Sequence, residues 1–370
     1  MLDARMVRHS GIGTYVRGLL GEYRNHPFFN EHSLGVTVFP SLVSEFSAVG
    51  KNPETFSFRS PIYSLQEQIE YPFHLRRCRL WHSPHYNAPL LKNGARLVVT
   101  FHDLIHWIFR ATFYSSLQTI YAKHFIKSAI RKADRIITVS KKTREDLINY
   151  FGAPYEKIRV IYEGVAPQFF SMPGPEIREA VLKKFGISDK FFLYIGLVKP
   201  HKNVKRLLSV FTRLRREKRL KASLVIIGKK DKHYRVGYEE LKHLKTGDGI
   251  YYLPSVHSPE ELSCFYGSAV ALVHPSLYEG FGLTVLEAMA SGLPVIASDA
   301  GSLPEVAGDA AYFVDPRSEE SIAEAMVRME NDEELRSRLG EKGKKQAKKF
   351  SWKKAAQETI SVYGEVLREQ

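Results

Sequence analysis

The chain has 370 residues, 44 per cent hydrophobic and 25 per cent charged, which is the profile of a globular protein long enough for two domains with separate cores. It contains no apolar run of transmembrane length and no charged-then-apolar leader, so a soluble, cytoplasmic protein is expected. Only two cysteines, Cys78 and Cys264, occur, far apart, which supports neither a disulfide framework nor a cysteine metal site, and the net charge of +14 asks for an anionic partner or surface.

That charge is uneven. Residues 1–170 hold 22 Lys and Arg against 13 Asp and Glu, a net of +9, and the remainder holds 32 against 27, a net of +5. Nucleic acid, acidic lipid and a nucleotide diphosphate all fit such an excess. No zinc-finger spacing, RRM-like aromatic motif or basic zipper accompanies it, so nucleic acid is not the expected partner.

In chain order, Met1-Leu2 is short for the buried strand that opens a Rossmann-like domain, so either the natural chain starts upstream or the first strand is very short. Ser10-Gly11-Ile12-Gly13-Thr14 then leads into a helix with Val16, Leu19, Leu20 and Tyr23 on one face. Gly11 and Gly13 suit a phosphate at a helix N-terminus or a purely structural turn, and Val16 stands where a dinucleotide fingerprint has its third glycine. Strands are expected at 34–40, 80–83 and 97–101, with a helix over 66–76. His102-Asp103 closes the third strand, at the end where parallel sheets place ligands. Residues 111–151 look helical, with a basic face of Lys123, Lys127, Arg131 and Lys132 beside Trp107, Phe109 and Phe113, which are expected to be exposed. A strand interrupts this stretch at 133–140, another follows at 157–161, and Ala166–Glu176, rich in Pro and Phe, reads as a linker.

A second α/β series begins with the apolar run 191–195 and continues through Lys199-Pro200-His201-Lys202-Asn203 into a helix. Two lysines on a strand-to-helix turn suit a diphosphate, and a solvated charge run is the alternative. Strand ends follow at 223–228 and 250–254, then a helix at 258–267 and an apolar strand at 269–273. After that strand, Glu279 and Glu287 flank Gly280-Phe281-Gly282-Leu283-Thr284. Two glycines before a helix that starts near Leu283 leave free N–H groups for an anion, and the carboxylates accept hydrogen bonds from sugar hydroxyls. Strands at 294–297 and 312–314 and an amphipathic tail helix from Ser351 complete the series.

The run PSLYEGFGLTVLEAMASGLPVIASDAGSLPEV, with seven residues between its glutamates, closely resembles the donor-site signature of retaining glycosyltransferases of family 4, especially bacterial mannosyltransferase-like members. The resemblance covers nearly the whole chain and is weakest over 41–79. It implies a GT-B architecture: two doubly wound Rossmann-like α/β domains facing a cleft, an acceptor-side domain of residues 1–170 and a donor domain of 171–351, with the helix 352–370 packing back on the first. It implies transfer of a hexose, with mannose favoured, from a nucleotide diphosphate sugar to a glycan or polyprenyl-linked acceptor, with retained configuration. His102 and Glu279 would then hold the transferred sugar, Lys202 and Lys199 the diphosphate, Glu287 the ribose and the Pro254-to-Val256 loop the base. Gly11, Gly13, Gly280, Phe281, Gly282, Leu283 and Thr284 would line the donor. No Asp-x-Asp occurs, so neither a metal nor another cofactor is expected. Contact with an anionic membrane at its inner face is expected of the basic helix. A catalytically inactive nucleotide-sugar-binding protein and a basic nucleic-acid-binding protein are the rival readings.

Overall fold

The computed structural model describes residues 1–24, 26–47, 53–187, 190–229, 249–256 and 258–369. The chain divides into two compact units, Met1–Gly164 together with the segment from Ser351 on, and Val165–Phe350. The crossing points lie at Gly164 and Phe350, so the Pro167–Phe170 turn belongs to the second unit, where buried Phe169 meets the Tyr266 ring edge-on at 5.6 Å.

The first unit is built on strands β1 (Leu2–Asp3), β2 (Gly35–Val38), β3 (Glu54–Ser57), β4 (Leu80–Ser83), β5 (Arg96–Phe101), β6 (Arg135–Thr138) and β7 (Ile158–Val160), all parallel, in the order β3-β2-β1-β4-β5-β6-β7. The opening strand is only two residues long yet central, with Leu2 opposite both Val36 and His82. β3 was not visible in the sequence. Its Glu-Thr-Phe-Ser pattern is that of a half-exposed edge strand with no apolar run to mark it. Helix Ser116–Lys132 starts at a capping box on Ser115 and Gln118, and it exposes Leu117, Ile120, Lys123 and Lys127. Trp107, Phe109 and Phe113, expected to be exposed, are half-buried instead. Trp107 packs on Phe151 at 5.1 Å, and the Phe109 and Phe113 rings stack at 5.2 Å.

The closing helix Trp352–Arg368 packs against helix Ile12–Tyr23. A buried polar chain ties the two to the sheet. The Tyr23 and Tyr363 hydroxyls are 3.0 Å apart, Tyr363 lies 2.5 Å from His82 Nδ1, His82 Nε2 is 2.8 Å from the Thr100 hydroxyl, and Thr100 is 3.0 Å from Tyr15.

The second unit repeats the winding. Strands β8 (Phe191–Ile195), β9 (Ser223–Ile227), β10 (Ile250–Leu253), β11 (Leu272–His274), β12 (Val295–Ser298) and β13 (Tyr312–Val314) form a parallel sheet in the order β10-β9-β8-β11-β12-β13. Continuous apolar strands such as Phe-Phe-Leu-Tyr-Ile are buried on both faces. One face packs under helices Val204–Arg216 and Glu319–Asn331 through Leu207, Phe211, Ala323 and Met326.

Gly164 is the tight point of the first unit, because a Cβ there would lie 2.1 Å from the Trp352 nitrogen. Gly164→Ala is therefore expected to destabilise the protein by about 1–3 kcal/mol through overpacking, measured by urea unfolding, and an unchanged midpoint would contradict this packing.

Candidate active site

In the second sheet the connections reverse direction between β8 and β11, and the loops leaving the carboxyl ends of those two strands flank the point where doubly wound sheets bind ligands. The loop after β8 ends in a short turn, Pro200–Lys202, followed by Asn203 at φ 60. Asn203 tolerates this left-handed conformation because its side chain is hydrogen-bonded, donating to the carbonyls of Pro275 at 2.9 Å and Pro316 at 2.7 Å. The Leu277 N–H donates to the His201 carbonyl at 2.7 Å. These bonds staple the loop after β8 to the loop after β11.

The stapled loops bring Lys202 and Glu279 together. Lys202 Nζ donates to Glu279 Oε1 at 2.7 Å and Oε2 at 2.8 Å, and His274 Nε2, at the end of β11, donates to Oε1 at 2.8 Å. Burial of Glu279 alone would raise its pKa, but Lys202, the His274 hydrogen bond and His201 hold it well below the usual carboxylate range. The Glu279 backbone is fixed from the opposite side. Ser302 donates to the Glu279 carbonyl through both its N–H and its hydroxyl, each at 3.1 Å, and its hydroxyl also donates to the Phe281 carbonyl at 2.9 Å. Gly301, at φ 64, lies so close that a Cβ would be 2.6 Å from the Glu279 backbone.

Gly280 and Phe281 are buried, and Gly282 turns the chain at φ 104 into helix Leu283–Ala290. The N–H groups of Leu283 and Thr284 fall in the first turn, where a helix leaves its amides without internal partners and its dipole favours an anion. Glu287, one turn on, accepts from the Tyr266 hydroxyl at 2.8 Å. Burial raises its pKa to about 7, against the opposing pull of that hydrogen bond. Lys199 sits half-buried three residues before Lys202, and Pro254 and Val256 lie at the carboxyl end of β10, two strands away from β8.

His102, Gly11 and Gly13 belong to the first unit. His102 follows β5 and has both ring nitrogens engaged: Nδ1 is 3.0 Å from Glu163 Oε1, Nε2 is 3.0 Å from the Pro84 carbonyl, and the Tyr15 ring meets it edge-on at 4.9 Å. Asp103 Oδ1 accepts from the Ile105 N–H at 2.9 Å, which orients the loop. Gly13 has a structural reason to be glycine, since a Cβ would lie 2.5 Å from the Val7 carbonyl oxygen, whereas the space at Gly11, at φ 57, is open.

Sequence reasoning missed Glu163, Tyr266 and Ser302 as site residues, and read His274 only as the end of a strand. Ser302 and Tyr266 meet their partners from 23 and 21 residues away, with no local motif. His274 carried a signal, a polar side chain ending an apolar strand five residues before Glu279.

Two doubly wound units, with a paired lysine and glutamate beside a helix end at the second unit's switch point, define a glycosyltransferase of GT-B architecture. Residues 11–169 match the model of Glycosyltransferase Family 4, and residues 178–346 match that of Glycosyl transferases group 1. The chain is 32% identical over 292 residues to O-antigen chain mannosyltransferase B of Escherichia coli, covering 77% of this chain and 74% of that one. It is 28% identical to the O-antigen chain mannosyltransferase RfbU of Salmonella typhimurium, covering 82% and 78%. The crystal structure of HepE from Anabaena, in complex with UDP and glucose, matches 98% of both chains at a TM-score of 0.78 and 15% identity. The chain belongs to glycosyltransferase family 4.

The two acids have opposite pH signatures. The pKa of Glu279 is lower folded than unfolded, so its stabilisation is complete above about pH 4.5 and is lost as the pH falls below that value. The pKa of Glu287 is higher folded, so the native state holds an extra proton and stability falls as pH rises from about 4.5 to about 7. Glu287→Gln is expected to remove that decline, so its stability relative to wild type should grow across the same window in urea unfolding. A pH-independent difference would contradict the assignment.

Proposed function

We propose that this glycosyltransferase moves a mannosyl residue from a nucleotide diphosphate mannose to a hydroxyl of a glycan or polyprenyl-linked acceptor, with retention and without a metal, in the building of a cell-surface polysaccharide. The observation that carries the reading is the Lys202–Glu279 pair beside the amides of Leu283 and Thr284. The diphosphate takes Lys202 and the helix-end amides, while sugar hydroxyls replace Lys202 as the donors to Glu279. As the glycosidic bond breaks, negative charge grows on the departing phosphate oxygen, where fixed cationic and amide donors stabilise it. The acceptor hydroxyl passes its proton to a phosphate oxygen of the donor. Glu287 receives the ribose hydroxyls as a carboxylate, so donor affinity rises as pH rises through about 7. In the first unit, His102 is the proposed contact for a hydroxyl of a sugar substrate, taken up in place of its bond to the Pro84 carbonyl. The mannosyl assignment is supported by the two O-antigen mannosyltransferase relatives.

The test combines a thermal-shift panel of nucleotide sugars with NMR of the product. A donor at a hundred times its dissociation constant adds about 2.7 kcal/mol of stability. Lys202→Ala is expected to lower kcat by about 100- to 1,000-fold, on the scale of losing one transition-state donor, and wild-type activity is expected to survive exhaustive EDTA treatment. Activity lost with EDTA and restored only by Mg²⁺ or Mn²⁺ would overturn the metal-free reading, and an inverted product anomer would overturn retention.

The same reading places the protein at the inner face of the cell membrane. Among the described residues no helix is long and apolar enough to cross a bilayer. Residues 58–132 hold eleven Lys and Arg against three Asp and Glu, a net of +8, and helix Ser116–Lys132 has no acid at all. Its exposed face runs from Leu117, 80% exposed, and Ile120, 64% exposed, to Lys123 and Lys127. A basic residue near an anionic bilayer contributes about 1 kcal/mol. Co-sedimentation with phosphatidylglycerol vesicles is therefore expected at low salt and not at high salt. Binding should be lost when Lys123, Lys127, Arg131 and Lys132 become Gln, and unchanged binding in that variant would remove the membrane assignment.

A further inference from the structure

The first unit also has a point where its connections reverse direction, between β1 and β4, but among the described residues no lysine–glutamate pair stands there. Its charge is consumed internally. Arg5, 3% exposed, donates to Asp3 at 2.7 Å, to Glu67 at 3.0 Å and to the Tyr71 hydroxyl at 2.6 Å, and its guanidinium lies 3.8 Å over the Phe58 ring. What stands above this buried network, on the loops leaving β3, β4 and β5, is an aromatic and imidazole cluster in which Tyr63 is exposed, His85 and His106 are half-buried and Tyr86 is buried. The Tyr63 and His85 rings meet edge-on at 5.6 Å, His85 and Tyr86 lie 3.9 Å apart, and the Tyr86 hydroxyl is 3.2 Å from His106 Nδ1.

Tyr63 is the irregular member. It has φ 67, a conformation a bulky residue rarely adopts, and its ring is 45% exposed. Its backbone is held there by the network below, because the Tyr63 N–H donates to Glu67 Oε1 at 3.0 Å. A large aromatic kept in a left-handed conformation by a fully buried carboxylate, and turned toward solvent at the ligand end of a sheet, is a placed surface rather than a turn residue.

We propose that Tyr63, with His85 at its edge, forms a subsite for a neutral pyranose of the acceptor, the ring of Tyr63 lying against the sugar's C–H face. The inference rests on the glycosyltransferase reading and adds to it the residues that recognise the acceptor. The chemistry selects an uncharged sugar. Burial, reinforced by His106, His102 and His9, holds His85 well below the usual imidazole range, and its Nδ1 accepts from the Asn87 N–H at 3.2 Å, so Nε2, 3.5 Å from the Tyr63 hydroxyl, meets a sugar hydroxyl as a neutral donor. The aromatic face supplies apolar area and a negative quadrupole suited to C–H groups.

The experiment is saturation-transfer NMR on the full chain without donor, using the methyl glycosides of mannose, glucose, galactose and N-acetylglucosamine. At least one glycoside is expected to respond with wild type through its ring C–H protons. Tyr63→Gly is expected to weaken that response at least tenfold while its melting temperature stays the same or rises, because glycine adopts positive φ without strain. Tyr63→Phe should keep the response. A purely structural Tyr63 would instead lower the melting temperature and leave the glycoside response intact. No response from any glycoside with wild type, or an equal response in Tyr63→Gly, overturns the proposal. Failure of the wild type to bind any nucleotide sugar, with glycoside binding retained, would sink the transferase mechanism and leave this subsite standing.

Discussion

The interaction on which the second unit depends is the pair of Lys202 and Glu279. Glu279 is almost completely buried, and a carboxylate taken out of water is tolerated only where its charge is matched and its lone pairs are filled. Lys202 supplies the charge and two hydrogen bonds, and His274 supplies a third. The left-handed turn at Asn203, the close approach of Gly301 and the two bonds from Ser302 hold the backbone in the one arrangement where these side chains meet. Removing either partner would leave the other charged and short of water. A ligand can separate them without that penalty only if it offers an anion to the lysine and hydroxyls to the carboxylate together.

The two units share a winding but use it differently. In the second, a lysine and two acids stand at the switch point, with one acid held ionised and the other held close to neutral pH. In the first, Arg5 is enclosed by Asp3 and Glu67, so the strand ends there carry aromatic rings and imidazoles over a neutralised base. His102 belongs to this second style of site. Its two partners, the Glu163 carboxylate and the Pro84 carbonyl, fix its plane against Tyr15. Glu163 is thus a positioning residue for His102, and the strand β7 exists partly to deliver it.

Much of the fold was legible because parallel strands covered on both faces must be continuously apolar. β5, β8, β9 and β12 announced themselves in that way, and the helices at 12–23 and 204–216 by their periodicity. β3 was hidden because an edge strand need not be apolar, and β11 starts later than the apolar run because Ala269 still caps the preceding helix, its N–H donating to the Phe265 carbonyl, before Val270 bonds to Phe191. The same distinction governs the site. Glu279, Gly282 and Glu287 form one contiguous motif, so spacing alone groups them. Glu163 reaches His102 across 61 residues, and the left-handed backbone of Tyr63 leaves no trace in its neighbours' identities. Local chemistry is written locally, and partners supplied by the crossing of strands are not.

The charge distribution is the remaining constraint. On the proposed reading a diphosphate would be neutralised by a few groups at one helix end of the second unit, where one lysine is already balanced by Glu279. The surplus of +8 over residues 58–132 lies on the first unit, where Arg5, Lys92 and Arg96 are paired with acids but Lys123 and Lys127 stand exposed on a helix without one. Self-repulsion among such charges is a cost to the folded state that a small ligand in the other unit does nothing to relieve. On the proposed membrane reading, an extended anionic surface would relieve it along the whole helix at once, and the exposed Leu117 and Ile120 at the start of that helix would lose contact with water in the same step.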